Sequence, residues 1–164
     1  MKVPTRYFGE IEVEENKFIL FPWGLPGFEN LRQFLLLEEE GFFWLQSVEE
    51  RDVIFAVCDP FLYFPNYEVD IPSSECQALG IVSEEEVIIL TIMNIQSPEN
   101  IKVNLLAPVI INCRLRMGKQ IILENEKYSL HHPLFLRKLT PPQDKLVTGK
   151  KYNILPNLLG CSKF

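Results

Sequence analysis

The chain has 164 residues, 47% hydrophobic and 23% charged, with a net charge of −6; these proportions fit one globular domain with a sizeable core and exclude an intrinsically disordered chain. No apolar run approaches the roughly 18 residues that a membrane-spanning helix requires, and the N-terminal Met1-Lys2-Val3-Pro4-Thr5-Arg6 lacks the apolar region of a secretory signal, so the cytoplasm is the expected compartment. Charge is unevenly placed: residues 1–101 carry 19 acidic against five basic side chains, and residues 102–164 carry three against 11. An acidic body of that kind repels nucleic acid and favours a basic partner, although acidic turns between strands are also the ordinary way to keep a surface solvated.

Taken in chain order, Val3 to Val13 reads as a strand or bent pair, broken at Phe8-Gly9-Glu10. Lys17 to Phe21 is a second strand. It leads into Phe21-Pro22-Trp23-Gly24-Leu25-Pro26-Gly27-Phe28-Glu29, where prolines fix φ and glycines open φ > 0, so the backbone follows one rigid, irregular path. Gly24, Pro26 and Gly27 are the loop-shaping residues, with Trp23, Leu25 and Phe28 as apolar anchors. Such a stretch is either a wide connection pinned to the core or a recognition loop at a barrel mouth.

Gln33 to Glu38 and Phe42 to Ser47 flank a turn containing Gly41, which predicts a hairpin, and Val53 to Cys58 adds a strand to the meander. Asp59-Pro60 closes that strand. Phe61-Leu62-Tyr63-Phe64-Pro65-Asn66-Tyr67 holds four aromatics in seven residues, to plug a barrel end or to stack a ligand. Ser74-Glu75-Cys76-Gln77 has a capping-box pattern and Gly80 a stop, so one short helix is predicted here. Val87 to Met93 is apolar on both faces and reads as a central strand.

Lys102 to Asn112 is a strand interrupted by Pro108, which predicts a kink tied down by the amides of Asn104 and Asn112. A hairpin is expected over Arg114 to Leu123 with Gly118-Lys119 as its turn, and Tyr128 to Leu130 as the last strand. The fold class is therefore mainly all-β: a small antiparallel β-barrel-like domain over residues 1–138 with one short helix, then a basic C-terminal tail over 139–164. The four cysteines show neither CxxC spacing nor histidines at ligand spacing, so no metal site or disulfide framework is expected, and Cys58 and Cys113 read as small buried hydrophobes. Nucleophile elbow, phosphate loop, dinucleotide fingerprint and zincin motif are all missing; no catalytic residue or cofactor is expected, and a binding module is the better reading.

Several of these stretches resemble one family. Phe8-Gly9-Glu10-Ile11-Glu12-Val13, the Phe21 to Glu29 loop, Trp44-Leu45-Gln46-Ser47, Asp59-Pro60, Tyr67 and above all Val103 to Asn112, with Gln120 and Tyr128 beyond it, are similar in order to the flagellar assembly factor FliW. The resemblance implies a β-barrel-like fold without enzymatic activity. It implies two mutually exclusive protein partners, flagellin and the RNA-binding translational repressor CsrA, with no direct contact to nucleic acid or membrane. FliW on CsrA relieves repression of flagellin translation, and accumulating flagellin takes FliW away again. On that basis Phe61, Tyr67, Asn104, Leu105 and Leu106 are the expected partner-binding residues, with Pro108 shaping their backbone. A small-molecule-binding barrel or a constitutive structural adaptor are the alternatives.

Overall fold

A computed structural model describes residues 1–135 and the pair 153–154. Its strands are β1 (Lys2–Pro4), β2 (Glu10–Glu12), β3 (Ile19–Leu20), β4 (Gln33–Glu39), β5 (Phe42–Ser47), β6 (Ile54–Cys58), β7 (Val87–Ser97), β8 (Asn100–Val103), β9 (Val109–Asn112), β10 (Met117–Gln120), β11 (His132–Leu134) and β12 (Asn153–Ile154). Two short helices, α1 (Pro60–Tyr63) and α2 (Ser73–Ala78), lie between β6 and β7. β7, β6, β5, β4, β3, β10 and β9 form a continuous series, and a second pairing of β7 with β9 closes it into a ring. All of these pairings are antiparallel except the parallel contact of β10 with β3. The predicted antiparallel barrel is thus the observed fold.

Side-chain alternation along the strands sorts the apolar residues into three cores. Phe34 and Leu36 of β4, Ile88 and Leu90 of β7, and Val109 and Ile111 of β9 point into the ring, where they meet Ile19, Phe21, Leu25, Leu45 and Val57. The opposite faces are buried too. Leu35 and Leu37 of β4 lie under the β1–β2 hairpin, against Val3, Ile11 and Val13. Val87 and Ile89 of β7 and Ile110 of β9 pack with Tyr67, Leu79, Leu105 and Ile121 in the third core. This explains why β4 and β7 read as continuous apolar runs: both faces are covered. Gln46, wholly buried, ties the layers together. Its Nε2 donates to the carbonyls of Ser47 and Arg51 at 3.0 Å each, and its Oε1 accepts from the Arg6 amide at 3.2 Å.

Five local expectations need correction. Gly118-Lys119 is not a turn; β10 runs through it, and the reversal falls at residues 113–116, where Arg116 takes φ 54°. Gly118 is in a strand because the Phe21 ring presses on it: a Cβ there would lie 2.5 Å from Phe21 Cε1. Tyr128 to Leu130 is not the last strand; it is turn and coil, and the strand that follows is β11, paired with β8. α2 starts after Pro72 without a side-chain cap, so the Ser74 capping box is not made, although Gly80 does stop the helix at φ 64°. α1 is an additional helix: Asp59 Oδ1 accepts from Phe61 N at 3.0 Å and Pro60 fills the first helical position, a start signal in its own right. Finally, Cys58 and Cys76 are free thiols, but Cys113 is disulfide-bonded rather than a plain hydrophobe.

The strand break at Pro108 is as predicted. Asn104 Oδ1 accepts from Ala107 N at 2.9 Å, closing the turn before the proline, but the Asn112 amide serves the next turn instead, its Oδ1 accepting from Arg114 N (3.0 Å) and Leu115 N (3.2 Å). Asn112 Nδ2 also donates to Leu79 O at 2.8 Å, holding the exit of α2 onto the barrel. The basic tail beyond Phe135 lies outside the described residues apart from β12.

Candidate functional site

Past β6 the chain leaves the ring for residues 59–86 and lays α1, the aromatic stretch and α2 over the outer face of β7 and β9. Tyr67 is the keystone of this layer. It is buried, its Oη donates to Leu105 O at 2.6 Å, and its ring meets Tyr128 edge-on with centroids 4.7 Å apart. Tyr128 Oη in turn accepts from Glu68 N at 2.8 Å. Burial and the neighbouring Tyr128 hold the Tyr67 hydroxyl protonated far above the usual range. Phe61 rests on Tyr67 with ring centroids 5.6 Å apart and remains 41% exposed.

Between this layer and β7 runs an open groove of ≈ 920 Å³. Val69, Ile71, Ile81, Val87 and Ile89 make its apolar lining, and Val82, 80% exposed, and Phe61 also line it. Asp59, Glu68, Asp70 and Glu84 supply its charged groups, all acidic, with Ser83 and Cys76 beside them. Among the described residues no basic side chain lines it. Asp59 is buried at the groove's inner end; burial raises its carboxyl pKa, partly offset by the bond from Phe61 N. An apolar floor between carboxylates suits an amphipathic, basic segment of a protein.

The expected site residues divide accordingly. Phe61 is on the groove. Tyr67 and Leu105 are joined by a hydrogen bond but are only 4% and 1% exposed, so neither offers side-chain surface; they shape the site from below. Asn104 and Leu106 are partly exposed and do not line the groove. Asn104 is engaged in its turn, and the Leu106 carbonyl accepts from Leu123 N at 2.8 Å. Pro108 is buried, its carbonyl taking Ile121 N at 3.0 Å. Sequence reasoning missed the groove's other wall. The pattern Val69-Asp70-Ile71, followed by Ile81-Val82-Ser83-Glu84, was visible as apolar residues alternating with acids, but it lacks regular periodicity and so signals no element.

The Phe21 to Glu29 loop is pinned to the inner core by Phe21 and Leu25. Gly24 (φ 65°) and Gly27 (φ 85°) are both left-handed. Gly24 N donates to Phe21 O at 2.9 Å, and Glu29 Oε1 accepts from Gly27 N at 3.1 Å, which holds the Glu29 carboxyl below its ordinary pKa. Trp23 is not an anchor: it is 46% exposed, with Lys119 Nζ 4.7 Å from its ring centroid. Phe28 sits edge-on to Phe55, half in solvent. The ring interior is filled by Phe21, Phe34, Leu25 and Leu45. Among the described residues no group of side chains is placed to hold a metal ion, and no helix is long and apolar enough to cross a membrane.

Comparison with known proteins agrees with this architecture. The FliW protein family matches residues 2–134. A flagellar assembly factor FliW of Caldicellulosiruptor saccharolyticus is 45% identical over 138 residues, covering 81% of this chain and 90% of its own. That of Geobacillus kaustophilus is 39% identical over 142 residues, covering 85% and 99%. A crystal structure of the flagellar assembly factor FliW superposes with a TM-score of 0.78 at 38% identity, covering 85% of this chain and all of that one.

Proposed function

This chain belongs to the FliW family of flagellar assembly factors, and we propose that it works by binding two protein partners in turn, without catalysis. One partner is CsrA, the RNA-binding repressor of flagellin translation; the other is flagellin, whose binding releases CsrA to repress again. The cytoplasm is where both meet it. Neither RNA nor membrane is a direct partner in this reading, because an acidic body is a poor surface for a polyanion.

The observation that supports the reading best is the groove beside Phe61, apolar along its floor and acidic at its margins. An apolar helical end of flagellin fits such a floor, and the carboxylates speed the approach of a basic protein while rejecting acidic competitors. The partner-facing set is accordingly Phe61 and Val82 of the groove, with Asn104 and Leu106 on the adjoining surface and Tyr67, Leu105 and Pro108 as its support.

A competition titration tests this. The purified protein is titrated with the CsrA dimer by calorimetry at two salt concentrations, and flagellin is then added. Salt-weakened binding that flagellin reverses supports partner switching. A Phe61→Asp, Val82→Asp double variant of unchanged melting temperature should weaken at least one complex about tenfold, or about 1.4 kcal/mol. Unchanged affinity for both partners would remove the groove from the site, and no binding to either would overturn the reading.

A further inference from the structure

β7 is longer than the strands beside it, and part of one edge is left bare. The Glu86 carbonyl accepts from Cys113 N at 2.7 Å and the Ile92 carbonyl from Asn104 N at 2.9 Å, so the even-numbered residues of β7 turn their main-chain groups toward β8 and β9. The odd-numbered residues turn theirs to the opposite edge. There Thr91 and Met93 face Cys58 and Ala56 of β6, and the same register would set Pro60 opposite Ile89. Proline has no N–H to give, and Asp59 and Pro60 start α1 instead, so β6 stops. Among the described residues no strand pairs with Val87 and Ile89 on that edge.

The bare edge opens into the groove. Val87 and Ile89 are partly exposed and both line it, as does Asp59, where β6 ends. Their side chains pack in the same core as Val69, Ile71 and Ile81. A strand laid in the place that β6 vacates would exchange main-chain hydrogen bonds with Ile89 and Val87, and the two guest residues opposite them would set their side chains on that apolar lining. The surrounding charge selects the guest. Asp59, Glu68, Asp70 and Glu84 line the groove, so a second copy of this chain would bring carboxylates onto carboxylates, whereas a basic segment is drawn in.

We propose that the free edge of β7 at Val87 and Ile89 is a strand-addition site, and that its occupant is a short extended segment of a partner protein, apolar at alternate positions and flanked by lysine or arginine. The inference rests on the groove being the partner surface, and it fixes the backbone form that the basic guest takes there. A helix resting on the same apolar lining would stand where this strand lies, so an extended guest and a helical one exclude each other.

The probe is a blocked synthetic peptide with lysine at both ends and isoleucine, threonine and isoleucine between, added to the full chain at about millimolar concentration and read by residue-resolved amide hydrogen exchange. Exchange at Val87 and Ile89 should slow about tenfold, while Ile88 and Leu90, already bonded to β9, stay as they are. N-methylation of the two isoleucines should weaken binding about tenfold or more, and N-methylation of the threonine, whose N–H points away from β7, should not. Added salt should weaken the unmodified peptide. Equal affinity of the two methylated peptides, or unchanged exchange at Val87 and Ile89 in the complex, would overturn strand addition and leave the groove standing as a partner surface. No binding of the unmodified peptide would overturn it as well, and the groove is then judged separately by the Phe61→Asp, Val82→Asp variant against the whole partner proteins.

Discussion

Gly24 and Gly27 provide a matched pair of perturbations within one loop. Both adopt left-handed φ, 65° and 85°, so alanine at either costs about 1 kcal/mol in backbone conformation. They differ in what lies beside them. A Cβ on Gly27 meets nothing within 4 Å, but one on Gly24 would lie 2.6 Å from Glu29 Cα and 2.7 Å from Phe28 O. Those are main-chain atoms of the returning limb, which is held by Phe28 N donating to Leu25 O at 2.7 Å and Leu31 N to Phe28 O at 3.1 Å, so they cannot swing aside as a side chain would. Overpacking against a fixed neighbour adds about 1–3 kcal/mol. Gly24→Ala should therefore cost about 2–4 kcal/mol and Gly27→Ala about 1 kcal/mol, and the smaller unfolded-state entropy of alanine offsets both alike. The measurement is urea unfolding followed by far-ultraviolet circular dichroism, with the midpoint compared at constant m. Equal midpoints for the two variants would refute the close-approach account, and a changed m would show that the loop substitution altered more than stability.

Two other outcomes are expected. Asp59→Asn should keep the α1 cap, because the amide oxygen still accepts from Phe61 N, while removing a buried charge; since burial raises the folded-state pKa of Asp59, the variant should be the more stable at neutral pH, and its advantage should vanish as the pH falls below the ordinary carboxylate range. Thermal melts at pH 7 and pH 3 measure both halves, and an advantage that persists at pH 3 would contradict the burial argument. Burial pushes the Cys58 thiol up to about 11, so in the native protein at pH 8 iodoacetamide should label Cys76 well before Cys58, as read by peptide mass spectrometry; equal labelling would mean that the Cys58 site opens readily.

What the sequence disclosed follows the range of the interactions involved. The β4–β5 hairpin, the β7 strand and the break at Pro108 were legible because alternation, a glycine in a short connection and a proline in a strand act on their own neighbours. The Asn104 and Asn112 turns belong to the same class, their amides reaching only two or three residues along. Gly118 was misread because its reason is the Phe21 ring, supplied from near the other end of the chain. The closure of β7 onto β9 and the parallel contact of β10 with β3 leave no local trace at all. At the site, the aromatic density around Phe61 and Tyr67 was visible, but which ring faces solvent depends on β7 and β8 beneath them, and so the burial of Tyr67 and Leu105 was not. The groove needs residues from two separated stretches, 59–71 and 76–89, and no single window contains both.

The contact of β10 with β3 rests on one residue pair, Met117 with Leu20, gripped by the Arg116 guanidinium, which donates to the carbonyls of Lys17 and Phe18. The other junctions of the ring join consecutive strands, or β7 to β9 with β8 alone between them, but this clasp waits for residues 116 and 117. A ribosome-bound chain that ends before β9 therefore holds β3 to β8 as a meander in which β3 lacks β10 and Val87 to Leu90 of β7 lack β9, the state in which edges pair with the wrong neighbour. For this architecture the interval of synthesis between β7 and β10 is the one in which those edges stand open.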